Sequence, residues 1–144
     1  MEIQIVARST AKRELLKAVT ALYARLLKIE NSKFSVVVSM VPGFAKEMGM
    51  NGAACLMEDK VVAVAIDSRL PMEQMLITLA HEMVHVKQRA KGQLKSRYNR
   101  KGDVVWSWMG RDYNTHYFDS PWELEAFSRE RIMANKIAHI ISEG

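Results

Sequence analysis

The sequence predicts a single α+β domain over residues 1–144. Three observations carry that expectation: an apolar repeat at helical spacing near the N-terminus, three β-rich segments after it, and two more helical repeats in the second half. A chain of this length is one ordinary domain and buries roughly two-thirds of its unfolded surface without a staple. Hydrophobic residues at 49% and charged residues at 26% exclude disorder as the main state. Seven glycines and three prolines exclude collagen-like and low-complexity chains.

Ser9 or Thr10 can cap a first helix running from about Ala11 to Glu30. Leu15, Leu16, Val19, Leu22, Tyr23, Leu26 and Leu27 form its apolar stripe, suited to covering a sheet. Phe34 to Met40, FSVVVSM, reads as a strand, and Pro42-Gly43 starts a loop punctuated by Gly49 and Gly52. Ala53–Met57 and Val61–Ile66 flank Glu58-Asp59-Lys60, a hairpin signal. Val61–Ile66 is apolar throughout, so alternation does not say which face it buries. It is also the longest apolar run, far short of the roughly 20 residues of a membrane span, so no membrane association is expected.

Pro71 suits a first helical turn, with Ser68 as a candidate cap, and the helix should run from Met72 to Ala90 with Gly92 just past its end. Gly92 to Gly102 reads as a polar, basic loop. Val104 to Trp108 looks like a strand, and Gly110 and Asp112 suggest a turn back through Tyr113 to Tyr117. Ser120-Pro121 opens the last helix, to about Ile141. Met1–Thr10 has no leader-like apolar run, and Cys55 is the sole cysteine, which excludes an internal disulfide. A reducing, cytoplasmic compartment is therefore expected. The net charge of +5 permits nucleic acid or acidic partners without demanding them.

His81-Glu82-Met83-Val84-His85 is an H-E-x-x-H motif inside the second helix. Two histidines four apart project from one face, about 40° apart on the wheel, and can hold one zinc ion. Glu82 can reach a water beside that ion as general base. Met75, Leu76, Leu79, Met83, Val86 and Ala90 form the apolar stripe of this helix. The histidines fall outside it, beside Gln74, Thr78 and Gln88, which favours a metal-binding pair over core filling; two surface histidines at helical spacing by accident are the alternative.

Zinc needs a third protein ligand. His116, Glu123, Glu125 and Glu130 are candidates. On a wheel of the last helix, Glu123 and Glu130 fall inside the apolar face, where a carboxylate is costly unless paired or metal-bound. Glu125 falls on the polar side, beside Arg129 and Lys136. Glu123 also fits a capping box with Ser120. Glu130 suits two roles, orienting one histidine through its non-ligating nitrogen or pairing with an arginine.

LAHEMVHVKQ (Leu79–Gln88), then VVWSWMG, then SPWELEA (Ser120–Ala126) resemble the small phage and prophage HExxH metallopeptidases of the zincin superfamily. The chain is similar, more distantly, to the ImmA/IrrE-type minimal gluzincins. The resemblance covers roughly Phe34 to the C-terminus. It implies a zincin-like domain: a small twisted sheet, an N-terminal helix, the motif helix, and a C-terminal helix carrying the third ligand. It also implies zinc-dependent hydrolysis of protein or peptide substrates, in a host cytoplasm if phage-encoded. The gluzincin Glu ligand matches Glu123 in E-x-x-A. Many gluzincins place Asp or Asn four residues later, where this chain has Phe127, so Glu130 or Asp119 would have to substitute. The DNA-associated SprT-like proteases compete, with His116 as third ligand. A non-catalytic zinc-binding interaction domain is a third reading.

Lys87 to Lys101 contains seven cations and no acid, suited to a weak nucleic-acid contact or to a solvated loop. Trp106 and Trp108 share one strand face, as core or cleft wall. Tyr113, His116 and Tyr117 are candidates for stabilising an oxyanion, with no spacing rule to select one.

Overall fold

A computed structural model describes residues 1–113 and 119–143. Among them the chain is α+β, in the order β1 (Glu2–Val6), α1 (Thr10–Leu26), β2 (Ser35–Val41), α2 (Phe44–Met48), β3 (Gly52–Glu58), β4 (Val61–Asp67), α3 (Met72–Ala90), β5 (Leu94–Tyr98), β6 (Val104–Trp108), β7 (Arg111–Tyr113) and α4 (Pro121–Glu143). A mixed sheet has the order β1-β2-β4-β3, with β1, β2 and β4 parallel and β3 antiparallel at the edge. A separate antiparallel sheet has the order β5-β6-β7. No helix is long and apolar enough to cross a membrane among the described residues.

Pleating decides what the apolar run in β4 could not. Val62, Val64 and Ile66 are buried together with Val36 and Val38 of β2, while Val61, Ala63 and Ala65 are half-buried on the other face. The inner face joins Leu16, Val19 and Tyr23 of α1 and Met75, Leu79 and Met83 of α3 in one core.

Ser9 caps α1, its Oγ accepting from Lys12 N at 3.2 Å. The helix ends four residues before the expected Glu30. Lys28 turns left-handed at φ 59°, Ile29 N bonds Ala24 O at 2.9 Å, and Lys28 N bonds Arg25 O at 3.1 Å. This closure buries Ile29 in the core, which offsets a lysine in a conformation that glycine adopts more easily. The motif helix α3 has the expected bounds, but Ser68 does not cap it. Pro71 stands at the cap without a side-chain bond.

Three elements lie outside the sequence expectations. β1 pairs in parallel with β2. Short α2 interrupts the loop after Gly43. The segment expected as a basic loop contains β5, which buries only Leu94 and pairs through its backbone with β6. α4 packs antiparallel along α3, with Glu123 opposite His85 and Glu130 opposite His81.

Candidate metal centre

α3 is buried around most of its circumference, so its motif residues are held rather than displayed. Glu123 Oε1 lies 3.0 Å from His81 Nε2 and 3.0 Å from His85 Nε2. The second ring nitrogens are also taken. His81 Nδ1 meets Glu130 Oε2 at 3.0 Å, and His85 Nδ1 meets Gln88 Oε1 at 2.9 Å.

Those outer bonds fix the proton positions. Gln88 Nε2 donates to Trp122 O and to Glu125 Oε1, both at 2.9 Å, so its oxygen is the atom facing His85. An amide oxygen and a carboxylate only accept, so each Nδ1 carries the hydrogen. In the neutral rings both Nε2 atoms then present lone pairs to a carboxylate oxygen. Three electron-pair donors converge on one point, a set satisfied by added protons or by a cation. The three ligand atoms lie within 4.8 Å of one another, so His81, His85 and Glu123 could hold a metal ion. Donors about 2.0–2.1 Å from a tetrahedral ion stand about 3.3–3.4 Å apart, close to the 3.0 Å contacts here.

Electrostatics express the same convergence. Burial alone would lower both histidines, but the bonds to Glu123 and the surrounding carboxylates outweigh it and raise them. Burial would raise Glu123, but the two histidines outweigh it and hold its carboxyl far below the usual range. Glu82 is raised, chiefly by burial, and the neighbouring histidines only partly oppose the shift.

The centre opens into a cleft of about 720 Å³ between α3, α4, β3 and the second sheet. Glu82, 5% exposed, reaches the cleft floor beside Gly52 of β3. A Cβ at Gly52 would lie 2.7 Å from Thr78 Cγ2, 2.9 Å from Ala65 O and 3.5 Å from Glu82 Oε2. Phe127, four residues after Glu123, packs its ring edge-on against His81 at 4.7 Å. Glu130, not the exposed Asp119, bonds the outer nitrogen of His81.

Glu125 is not the free surface acid that its wheel position suggests. It bonds Lys87 Nζ at 2.6 Å and holds Gln88. A wheel ranks faces by residue type, and Glu125 lies only about 60° from buried Trp122, at the seam against α3. Gln88, fully buried, was assigned no role by sequence reasoning. Its spacing of three residues from His85 is the available signal. Trp106 stacks on Trp122 at 5.9 Å and lines the cleft, whereas Trp108 tilts against Trp122 outside it. Tyr113 packs edge-on against Trp122 and does not line the cleft. His116 and Tyr117 lie outside the described residues. Three cations of the basic segment are accounted for individually. Lys87 pairs with Glu125, Arg97 pairs with Asp112, and Arg89 turns into the cleft.

Comparisons with models of known protein families, with curated proteins and with solved structures give no match to this chain.

Proposed function

We propose that the chain is a zinc-dependent peptidase of zincin type, with His81, His85 and Glu123 as metal ligands and Glu82 as general base. The observation that carries this is the convergence of both Nε2 atoms and Glu123 Oε1 while each Nδ1 is held by an acceptor. Two imidazoles and one carboxylate are a ligand set of catalytic zinc, which leaves a position for water. Bound zinc would supply Lewis acidity, lowering the pKa of water to about 7 and polarising a carbonyl.

The chain's own residues do the rest. Gln88 and Glu130 hold the two rings in one tautomer and orientation. The Glu82 carboxylate takes a proton from the attacking water and returns it to the leaving nitrogen. A C–O bond forms, the C–N bond breaks, and both water protons finish on the amine, giving carboxylate and ammonium. An extended substrate has a partner in the cleft: β3 lines it, and among the described residues β3 is an edge strand with one side unpaired in the sheet. That edge favours a peptide. The exposed thiol of Cys55 supports a reducing compartment such as the cytoplasm.

The test uses metal content and one isosteric change. Purified protein should carry about one zinc per chain, as expected of one three-ligand site, and the His81→Ala/His85→Ala double variant should carry none. Glu82→Gln should keep zinc and lose peptide hydrolysis by at least roughly a hundredfold. Full zinc retention in the double variant, or unchanged cleavage by Glu82→Gln, overturns the reading.

A further inference from the structure

We propose that Arg89 is a specificity-determining residue whose guanidinium receives a carboxylate of the substrate two or three residues from the scissile bond. This rests on the peptidase reading of the cleft. Arg89 stands one turn beyond His85 on α3 and lines the same cleft. Its guanidinium lies over the Trp106 ring at 5.3 Å, and Nη1 donates to Ser96 Oγ at 3.0 Å. Its basic neighbours Lys87 and Arg97 each have a carboxylate partner. Among the described residues Arg89 has a ring and a neutral hydroxyl instead. A guanidinium carries five N–H donors in a rigid fork matched to a carboxylate. Half-burial, with no opposing charge among the described residues, weakens its hydration, so an incoming anion loses less by binding there than at an exposed lysine. Arg131, the other cleft cation, is exposed and follows Glu130 in the chain.

Two measures give the spacing. Seven residues of α3 separate Glu82 from Arg89, about 10 Å of helix. Along β3, Gly52 adjoins Glu82, and Cys55 lines the same cleft as Arg89. The three residue steps from Gly52 to Cys55 span about 10 Å of strand. The edge of β3 and the face of α3 thus run alongside each other. A chain extended on that edge, with its scissile bond between the two histidines, brings a side chain two or three residues away to Arg89.

The zinc-loaded protein would be given a random decapeptide library, acetylated and amidated so that side chains are the only carboxylates. Mass spectrometry would locate the cuts. Asp and Glu should be enriched about tenfold at one position two or three residues from the cut, the low end of what a charged hydrogen bond discriminates. A second library with free C-termini separates the two sources of carboxylate: cuts gathered two or three residues from the end show that the terminal group also serves. Arg89→Glu should replace the acidic preference with Lys and Arg at the same position, which also reports a folded variant. Lys101→Gln, on the hairpin outside the cleft, should keep the acidic preference. A binding arm needs no cleavage: zinc-loaded Glu82→Gln is titrated with matched Glu- and Gln-containing nonapeptides by tryptophan fluorescence. The Glu peptide should bind about tenfold tighter, and adding Arg89→Gln should erase the difference. Cleavage without acidic preference overturns the role of Arg89 and leaves the peptidase reading standing. Acid-selective binding that needs Arg89, without cleavage by the wild type, overturns the peptidase reading and keeps Arg89 as a carboxylate receptor. Absence of both overturns both.

Discussion

Gln88 carries no charge, yet two helices depend on where its amide points. Its nitrogen is held by Trp122 O and Glu125 at one end of α4, and its oxygen holds the His85 ring on α3. Loss of such an outer bond typically weakens a metal site by about 10–100-fold. Gln88→Ala should therefore weaken zinc on that scale, and Glu125→Ala by less, because it acts only through Gln88. Glu123→Ala should weaken zinc most. Chelator competition at one pH, with circular dichroism to confirm folding, orders the variants. His116→Ala should keep its zinc. Zinc lost on His116→Ala but kept by Glu123→Ala would move the third ligand to His116 and favour the SprT-like alternative. His81, His85 and Glu82 were legible because helical spacing alone puts them on one side of α3. The bridge from Glu125 through Gln88 was not, because it depends on how α4 lies along α3.

At the scale of elements, β3 and α3 approach too closely for a side chain at Gly52. Thr78 on α3 could rotate away, but Ala65 O belongs to the backbone of β4 and cannot. Gly52→Ala should therefore push β3 off α3 and shift the wall against Glu82. Overpacking of this kind costs about 1–3 kcal/mol. Urea unfolding should show that loss, and kcat should fall while zinc content is retained. A variant as stable and as active as wild type would mean that the approach is loose. Element boundaries were readable where a signal sits in the chain: Pro71 before α3, Gly92 after it, and Asp59-Lys60 between β3 and β4. They were unreadable where pairing alone makes the element. β5 has one buried side chain, and its strand character comes from β6 beside it.

For the molecule as a whole, Tyr23 joins the covering helix α1 to the motif helix α3. It is fully buried, and its hydroxyl donates to Leu76 O at 2.8 Å. Burial pushes this phenol above its ordinary pKa of 10.0. The unfolded chain releases the proton near pH 10, whereas the folded chain keeps it, so the unfolded state binds fewer protons at high pH. Stability is intact below about pH 10 and falls as the pH rises further. Tyr23→Phe should cost about 1 kcal/mol at pH 7 and flatten the alkaline loss. Urea unfolding of both proteins at pH 7 and at about pH 11 measures this. An equal alkaline loss in the variant would place its origin elsewhere.

By itself the sequence determined the α+β class, the span of α3, the pairing of β3 with β4, and the side of α3 that carries His81, Glu82 and His85. These follow from period, turn chemistry and spacing, which act within a few residues. Only the tertiary structure decided which face of β4 is buried, that Glu130 holds His81, that Glu125 is a bridge, and that Arg89 leaves the basic segment for the cleft. Each of those depends on the register of α4 against α3 or of one strand against another. Register is set by the packing of residues far apart in the chain, and no local pattern contains it.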